Sequence, residues 1–406
     1  PGFSTATEEA ILALGYPRLS DQNGEFGDGV FPMTLSNDGQ YRVSSARGYL
    51  TAEVRRRPNL TVLTETNVQG LLWDANKVSG LRVRRGTEVQ EIAVRQVILS
   101  AGALQSPALL LREGIGDAAE LRALGIEPRH HLPGVGRNLQ EHPGISVSAM
   151  LNPAARLKNT TRRHIHLGLR YSSGVGEQAS DMFMMAAAKS AWHPLGQRIA
   201  TFIAWINKPA SRGRVMLERS GEAIIPVANF DFLAEALDRA RLAGAVQLMA
   251  RLAGMEPLAG QLTAPVPSSY GGWAKRLGHR NVRNYAMTAG AGLLLDALPF
   301  LREPFAHRMI GGGRSLEALV GDSEALEGYL VEKAFGQWHP SGTCRIGPPH
   351  DSDAVTDPLD AYVHGIEGLR VVDASIMPTI PRANLNIPTI MLAEKIADSI
   401  RARINR

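Results

Sequence analysis

Apolar residues in the first hundred positions come in short blocks between glycine-, asparagine- and aspartate-rich turns, which predicts alternating helices and strands. Helices are expected over residues 5–14 and 46–55. Strands are expected where β-branched and other apolar residues cluster between turn signals, over residues 60–63, 68–73, 80–83, 89–94 and 97–100. This part of the chain therefore has an α/β pattern.

The strand over 97–100 leads directly into a glycine turn and a helix. Ser106 is expected to cap that helix, with Pro107 in its first turn and Gly114 after its last. Strand, glycine turn and helix form the geometry that brings backbone N–H groups to a nucleotide in α/β folds. Most such turns bind nothing, so this pattern alone does not predict a nucleotide site.

The pattern changes after residue 146 and returns to α/β after Pro348. Further strands are expected over 199–206, 213–217 and 369–373. Further helices are expected over 233–252 and 388–404, and a loop over 257–267. These patterns predict an α/β (α+β) fold with an α/β domain over 1–145, an antiparallel-sheet domain with helices over 146–347, and a return to the first domain over 348–406.

Composition adds mainly exclusions. The 406 residues are 44% hydrophobic and 20% charged, which is typical of a globular protein. The net charge is +5, but the basic residues are scattered without interleaved aromatic residues, so no nucleic-acid partner is expected. The single cysteine, Cys344, excludes an internal disulfide and a thiolate metal cage, and no metal site is expected.

Targeting signals are also lacking in this sequence. No apolar run approaches the ~18 residues of a membrane span, and the first residues do not have the layout of a signal peptide. We therefore expect a cytoplasmic protein with no membrane partner. The chain begins with Pro1 instead of Met, which suggests a piece of a longer product.

Two short runs near the end of the chain carry candidate chemistry, residues 338–347 and 384–389. His339 is the candidate base because an imidazole titrates near neutral pH, and Pro340 favours an extended backbone at His339. Asn386 offers an amide that can hold a substrate oxygen without competing for its proton. Alternatively, Asn384 or Asn386 only begins the helix, since Asn favours helix caps. His142 is more typical of a hydrogen-bonded core residue.

Several segments in order resemble the glucose–methanol–choline (GMC) family of FAD oxidoreductases. The matching runs are residues 42–50, 58–62, 102–116, 134–143 and 339–347, with Glu113, Glu141 and Ile346 departing from the family pattern. Within the family, Trp205 to Pro209 and the Trp338-His339 pair are most similar to oxidases of 5-hydroxymethylfurfural and of aryl or furanic alcohols.

The resemblance implies roles for particular residues. His339 and Asn386 would act on the alcohol, and FAD would be the cofactor. Apolar substrate walls would come from Ile203, Trp205 and Trp338. FAD contacts would come from Val68, Ser100, Gly102, Trp338, Asp373, Ala374, Asn386, Pro388 and Thr389. For Asp373 the alternative is an ordinary capped turn, and for Ile203 and Trp205 it is core packing.

The expected function is therefore oxidation of a primary aryl or furanic alcohol to the aldehyde, with O2 or another electron acceptor as second substrate. The alternatives are a choline-type dehydrogenase, a hydroxynitrile lyase in which FAD is redox-silent, and an inactive fragment. The family's Gly-x-Gly-x-x-Gly segment, which seats the FAD pyrophosphate, does not occur in this sequence. Residues 1–406 alone are therefore expected to bind FAD weakly or to aggregate, and the missing N-terminal segment, joined or supplied as a separate chain, is expected to restore binding.

Overall fold

A computed structural model describes residues 2–39, 41–157, 163–269 and 271–404. The chain divides into two compact units, each made of three segments. The first unit contains Pro1–Thr34, His142–Ser211 and Phe232–Gln337. The second contains Leu35–Glu141, Arg212–Asp231 and Trp338–Arg406.

The first unit is built on a seven-stranded antiparallel sheet. Six strands follow in spatial order, Gly29–Pro32, Ile165–Tyr171, Met182–Ala187, Ile199–Ile206, Pro143–Leu151 and Leu262–Ser268, and Phe335–Gly336 pairs with Pro143–Leu151. Every residue of Pro143–Leu151 is buried. Helices cover this sheet, and the main ones are Gly2–Ala13, Ala236–Ala253, Gly272–Gly278, Val282–Ala297, Leu316–Gly321 and Ser323–Lys333.

The helix Ala236–Ala253 shows why these elements pack. Its buried residues Leu242, Ala245, Val246, Met249 and Leu252 recur every three or four positions, so they line one face. That face joins the core of the unit, together with Phe3, whose ring lies 5.5 Å from that of Phe202.

The second unit has the α/β character. Its central feature is a parallel pair of strands, Val97–Leu99 and Leu369–Val371. Beside it lie three smaller groups of strands. A three-stranded antiparallel sheet contains Thr66–Asp74, Lys77–Arg85 and Glu88–Ala93, and a hairpin pairs Arg214–Ser220 with Ala223–Asn229. The third group is a two-residue parallel pair of Ile115–Gly116 and His130–His131. The helices are Ser45–Tyr49, Ala52–Arg55, Gly102–Arg112, Ala118–Ala123 and Asn386–Ile404.

Three segments have a secondary structure different from the one predicted. Residues 60–63 form no strand, and Val62 and Leu63 stay exposed without a pairing strand. The predicted helix over 46–55 is two helices, because Leu50 leaves the helical region and Thr51 caps the second by accepting from the Val54 N–H. The predicted loop over 257–267 contains the strand Leu262–Ser268, which tolerates its prolines because it lies at the edge of the sheet.

The domain boundaries also differ from those expected at 145 and 347. The first residues belong with the antiparallel sheet because Gly29–Pro32 pairs with Ile165–Tyr171. The hairpin over 214–229 belongs with the α/β unit, where Val215 donates its backbone N–H to Gly136 at 2.7 Å and Leu217 joins the core. The chain re-enters the α/β unit at Trp338, so His339 lies in that unit.

Candidate active site

The loop that carries His339 has an unusual backbone. Trp338 adopts a positive φ of 61°, which is costly for a residue with a side chain, and its indole is 72% exposed. The backbone N–H of His339 donates to Oε2 of Glu141 at 2.7 Å. Because Glu141 is buried, its carboxylate is a fixed acceptor that holds the strained turn.

Gln140, also buried, connects the two chemical runs. Its backbone exchanges hydrogen bonds with Ser341 at 2.9 Å in both directions. Its side-chain Oε1 accepts from the N–H of Ile380 at 3.1 Å, and its Nε2 donates to the carbonyl of Pro378 at 3.2 Å. One residue therefore fixes the His339 loop, through its backbone, relative to the segment that leads to the last helix, through its side chain.

The amide that meets His339 belongs to Asn384. Its Nδ2 lies 3.2 Å from Nε2 of His339. Asn386, the predicted partner, is exposed two positions later, as the first residue of the helix Asn386–Ile404. From the sequence, Asn384 is only a possible helix-start residue. The Asn-x-Asn spacing was the one signal that a second amide stands at the same helix end.

The environment of His339 keeps its ring neutral. Burial lowers the pKa of His339 to about 4, because desolvation penalises the imidazolium. The geometry agrees, since an amide NH2 is only a donor and Nε2 must therefore be an acceptor in this contact. A neutral imidazole with an accepting Nε2 is the form that a general base requires.

Asp373 ties together the carboxyl ends of the parallel strands. Its Oδ2 accepts from the N–H of Gly102 at 2.9 Å and from the hydroxyl of Ser106 at 2.5 Å, and its Oδ1 accepts from the N–H of Ser375 at 2.8 Å. The predicted start of the helix at Ser106 is therefore wrong. The helix begins at Gly102, because Asp373 supplies the acceptor for its first N–H, and Ser106 lies inside it.

The His339 loop runs beside these strand ends. The N–H of Gly342 donates to the carbonyl of Ala374 at 3.1 Å, and the Thr343 hydroxyl donates to the carbonyl of Ala103 at 2.7 Å. The candidate base is thus bonded through its own loop to both turns that follow the parallel strands.

Apart from Asp373, which is buried, the predicted cofactor contacts in this unit have accessible surfaces. Gly102 has φ of +83°, and a Cβ added there would meet no atom within 4 Å, so a ligand can approach its backbone. Ser100 and Val68 are exposed, although the Ser100 hydroxyl also donates to the carbonyl of Val372 at 2.9 Å. Asn386 is exposed and Pro388 and Thr389 are half-buried at the start of the last helix. This edge of the unit therefore leaves room for a nucleotide cofactor to approach the backbone, although the Gly102 N–H itself donates to Asp373.

The remaining predicted substrate residues lie in the first unit. Trp205 is 2% exposed; its ring stacks 4.5 Å from that of Phe183, and its Nε1 donates to Asn207 at 3.2 Å. Ile203, on the same strand, is half-buried and packs against that cluster. Their contact with substrate stays a prediction.

Other titratable candidates have structural surroundings. His142 is buried, and burial raises the pKa of the Cys344 thiol, which is also fully buried. Within the described ranges, no three His, Cys, Asp or Glu side chains are arranged to hold a metal ion. Nor is any helix of those ranges both long and apolar enough to cross a membrane.

Comparison with known proteins adds three findings. Family models described as GMC oxidoreductase match residues 2–144 and 209–393. The 5-(hydroxymethyl)furfural oxidase of Methylovorus sp. (strain MP688) is 42% identical over 403 residues, covering 98% of this chain and 68% of that protein. An oxygen-dependent choline dehydrogenase of Burkholderia multivorans is 33% identical, covering 99% and 67%.

Solved structures have the same fold. The crystal structure of pyridoxine 4-oxidase from Mesorbium loti superimposes with a TM-score of 0.77 at 25% identity, covering 99% of this chain and 70% of that one.

Proposed function

Because the chain belongs to the GMC oxidoreductase family, we propose that it oxidises a primary aryl or furanic alcohol to the aldehyde, with FAD as cofactor and O2 reduced to H2O2. The observation that carries this proposal is the neutral, half-buried imidazole of His339 with an amide 3.2 Å from its Nε2. The chemistry that FAD supplies when bound is acceptance of a hydride from the alcohol carbon and delivery of both electrons to O2.

His339 would take the hydroxyl proton at Nε2. Loss of that proton and of the hydride from the adjacent carbon leaves the aldehyde, and two protons with two electrons convert O2 to H2O2. In the resting site the Asn384 N–H occupies Nε2. The alcohol hydroxyl would displace that donor when it binds, and the Glu141 contact would keep the His339 backbone in place meanwhile.

Asn386 would bind the substrate oxygen, as its position in the family pattern implies. Its exposed amide stands at a helix start, where backbone N–H groups and the helix dipole favour negative charge. The same end, with Pro388 and Thr389, would hold the ring of the cofactor.

The other end of the cofactor would be held by the strand ends. Val68 would contact adenine, and Ser100, Gly102 and Ala374 would present backbone atoms. Asp373 would act through the turn that it holds, since its carboxylate already accepts three internal hydrogen bonds.

The substrate class rests on the relatives. The 42% identity to an oxidase of 5-(hydroxymethyl)furfural favours a flat furanic or aryl alcohol, for which the exposed Trp338 would provide an apolar wall. The second candidate is oxidation of choline, favoured by the 33% identity to choline dehydrogenases.

The test uses the purified full-length protein with FAD, offered 5-(hydroxymethyl)furfural, benzyl alcohol or choline in air. We expect H2O2 with the first two alcohols and bleaching of the flavin absorbance by them without O2. Bleaching without H2O2 in air would indicate a dehydrogenase with another acceptor. No bleaching by any alcohol would contradict the proposed function.

A further inference from the structure

The helix Val282–Ala297 of the first unit has its hydrophobic pattern reversed. Its buried face consists of Asn284, Thr288, Gly292 and Leu295, and is therefore mostly polar or small. Asn284 is held there by donating to the carbonyls of Arg276 and His279 at 2.8 and 2.9 Å. A helix that only closes a core buries its apolar side chains, so this one has a second requirement.

Large apolar side chains cover the outward side of this helix and the turn after it. We call them the apolar face: Val282, Tyr285, Met287, Leu293, Leu294, Leu298 and Phe300. Their exposed fractions run from 37% for Leu298 to 85% for Val282. Several exposed large apolar side chains on one stretch of surface are characteristic of a surface that meets a partner.

The surroundings of the apolar face are cationic. Residues 271–314 contain seven Lys and Arg but only two acidic residues, so this segment carries a formal charge of +5, as large as that of the whole chain. One of the two acids, Asp296, is bound by Arg156, Arg198 and Arg302 at 2.6, 2.7 and 3.4 Å. Hydrogen bonds from Arg156 and Arg198 lower the pKa of Asp296 to about 2. Four exposed cations precede or interrupt the apolar face: Lys275, Arg276, Arg280 and Arg283.

Aromatic side chains lie where the apolar face meets these cations. The Tyr285 ring stacks on Trp192 with 6.5 Å between centroids, and the Arg280 guanidinium lies 6.0 Å from the Trp192 ring. Trp192 donates from Nε1 to the carbonyl of Gly278 at 2.8 Å. Aromatic rings with one polar end, between apolar and basic side chains, are typical of helices that lie in a membrane interface.

We propose that the apolar face lies on the surface of a membrane containing anionic lipids, with Lys275, Arg276, Arg280 and Arg283 against the lipid phosphates. The helix would lie in the plane of the interface, because its other face is buried against its own unit. A helix that lies on a membrane surface needs no spanning segment. The expectation of no membrane partner rested on the lack of a spanning segment, and it therefore does not apply to this arrangement.

The charges favour a lipid surface over a second copy of the chain. In a two-fold symmetric dimer the same patch faces itself, so Arg283 and its basic neighbours would meet an equal set of cations. An anionic bilayer instead provides apolar depth and compensating charge together, and each basic residue near such a surface strengthens binding about five-fold.

The experiment is co-sedimentation of the purified full-length protein with vesicles of phosphatidylcholine alone or with about one quarter phosphatidylglycerol. We expect binding to the anionic vesicles at least about ten-fold stronger than to the neutral ones, and loss of binding at about 0.5 M salt, where charges are screened. Leu293→Glu combined with Leu294→Glu should weaken binding at least about ten-fold. The control is Val331→Glu, a single apolar-to-glutamate change at a 62% exposed position of the helix Ser323–Lys333, which should bind like the wild type.

Arg280→Gln combined with Arg283→Gln tests the charges separately and should weaken anionic binding by about 25-fold, the product of two five-fold effects. These residues are exposed, so the melting temperature, which checks folding, should not change.

The proposal is overturned if the wild type stays in the supernatant with anionic vesicles, or if the glutamate pair binds as well as the wild type does. It is also overturned if the wild type is a dimer that the glutamate pair converts to a monomer without any vesicle binding. Because sedimentation does not depend on oxidation activity, none of these results bears on the proposed function.

Discussion

At the scale of single residues, the proposed role of His339 as the base can be tested directly by substitution. His339→Ala should lower kcat/KM for an alcohol by about 10²–10⁴-fold, the usual effect of losing a general base, while FAD content stays unchanged. His350→Ala, an exposed histidine of the same unit, is the matched control and should leave kcat/KM within about two-fold. An H339A variant with near-normal kcat/KM would remove His339 from the proposed role.

The pH dependence of activity follows from the burial of His339. Its pKa is lowered to about 4, so the ring is neutral and able to accept a proton at any higher pH. We expect kcat/KM to be level from about pH 5 to 7 and to fall ten-fold per unit below about pH 4, as the base becomes protonated. A fall that begins near the ordinary histidine value of about 6.5 would mean that the ring is hydrated in the working enzyme.

The roles of Asn384 and Asn386 can be distinguished by their effect on the acid limb, the fall of kcat/KM at low pH. Asn384→Asp replaces a donor to Nε2 with a carboxylate, which stabilises the imidazolium and raises the pKa of His339. The acid limb of kcat/KM should therefore move upward by about one unit or more. Asn386→Asp, the same change two residues away, should reduce kcat/KM with a smaller shift of the limb. Equal shifts in both variants would contradict the placement of Asn384 at His339.

At the scale of elements, the segment over 138–141 organises the site. Gln140→Ala removes the acceptor of the buried Ile380 N–H, and one of two donors to the Pro378 carbonyl, which also accepts from Asn138. Unpaired buried groups cost about 1–3 kcal/mol, so urea unfolding should show a loss of that size, with a reduced kcat as well. Gln90→Ala, at an exposed position of the strand Glu88–Ala93, should change the free energy of unfolding by less than about 0.5 kcal/mol. Identical stabilities for the two variants would refute the clamp between the two runs.

Elements with strong local signals were predicted well. The helices Gly2–Ala13 and Ala236–Ala253 and the strand Ile199–Ile206 are confirmed within a few residues, because their apolar periodicity is long or nearly every residue is buried. The strand Leu262–Ser268 was missed because its prolines normally exclude a strand, and only its place at a sheet edge permits them. Residues 60–63 show the opposite error, since an apolar run becomes a strand only where a partner strand is available.

At the scale of the whole molecule, the proposed cofactor should stabilise the folded chain. FAD at about 100 times its Kd should raise the free energy of unfolding by about 2.7 kcal/mol, since only the folded state holds the site. The measurement is the urea midpoint of the full-length protein with and without FAD, with a nicotinamide dinucleotide at the same concentration as control. An unchanged midpoint with FAD would contradict FAD as the cofactor.

The fold class and the family could be reached from the sequence because both rest on local patterns. The strand–glycine–helix pattern at Gly102 and the run around His339 are each continuous in the chain. Glycine permits the positive φ of the turn, and histidine supplies a side chain that can accept a proton, whatever packs around them. The sequence by itself therefore determined the family, the candidate base and the cofactor that the family implies.

Only the tertiary structure decided which groups meet. Asn384 reaches His339 across 45 positions of sequence, and Asp373 bonds Ser106 across 267. Likewise, Glu141 accepts the N–H of His339 from 198 positions away. Local spacing determines the face on which a side chain lies, but not the distance between two faces from separate segments. That distance depends on how strands pair and helices pack over the whole unit, and so the amide beside the base emerged only in the folded chain.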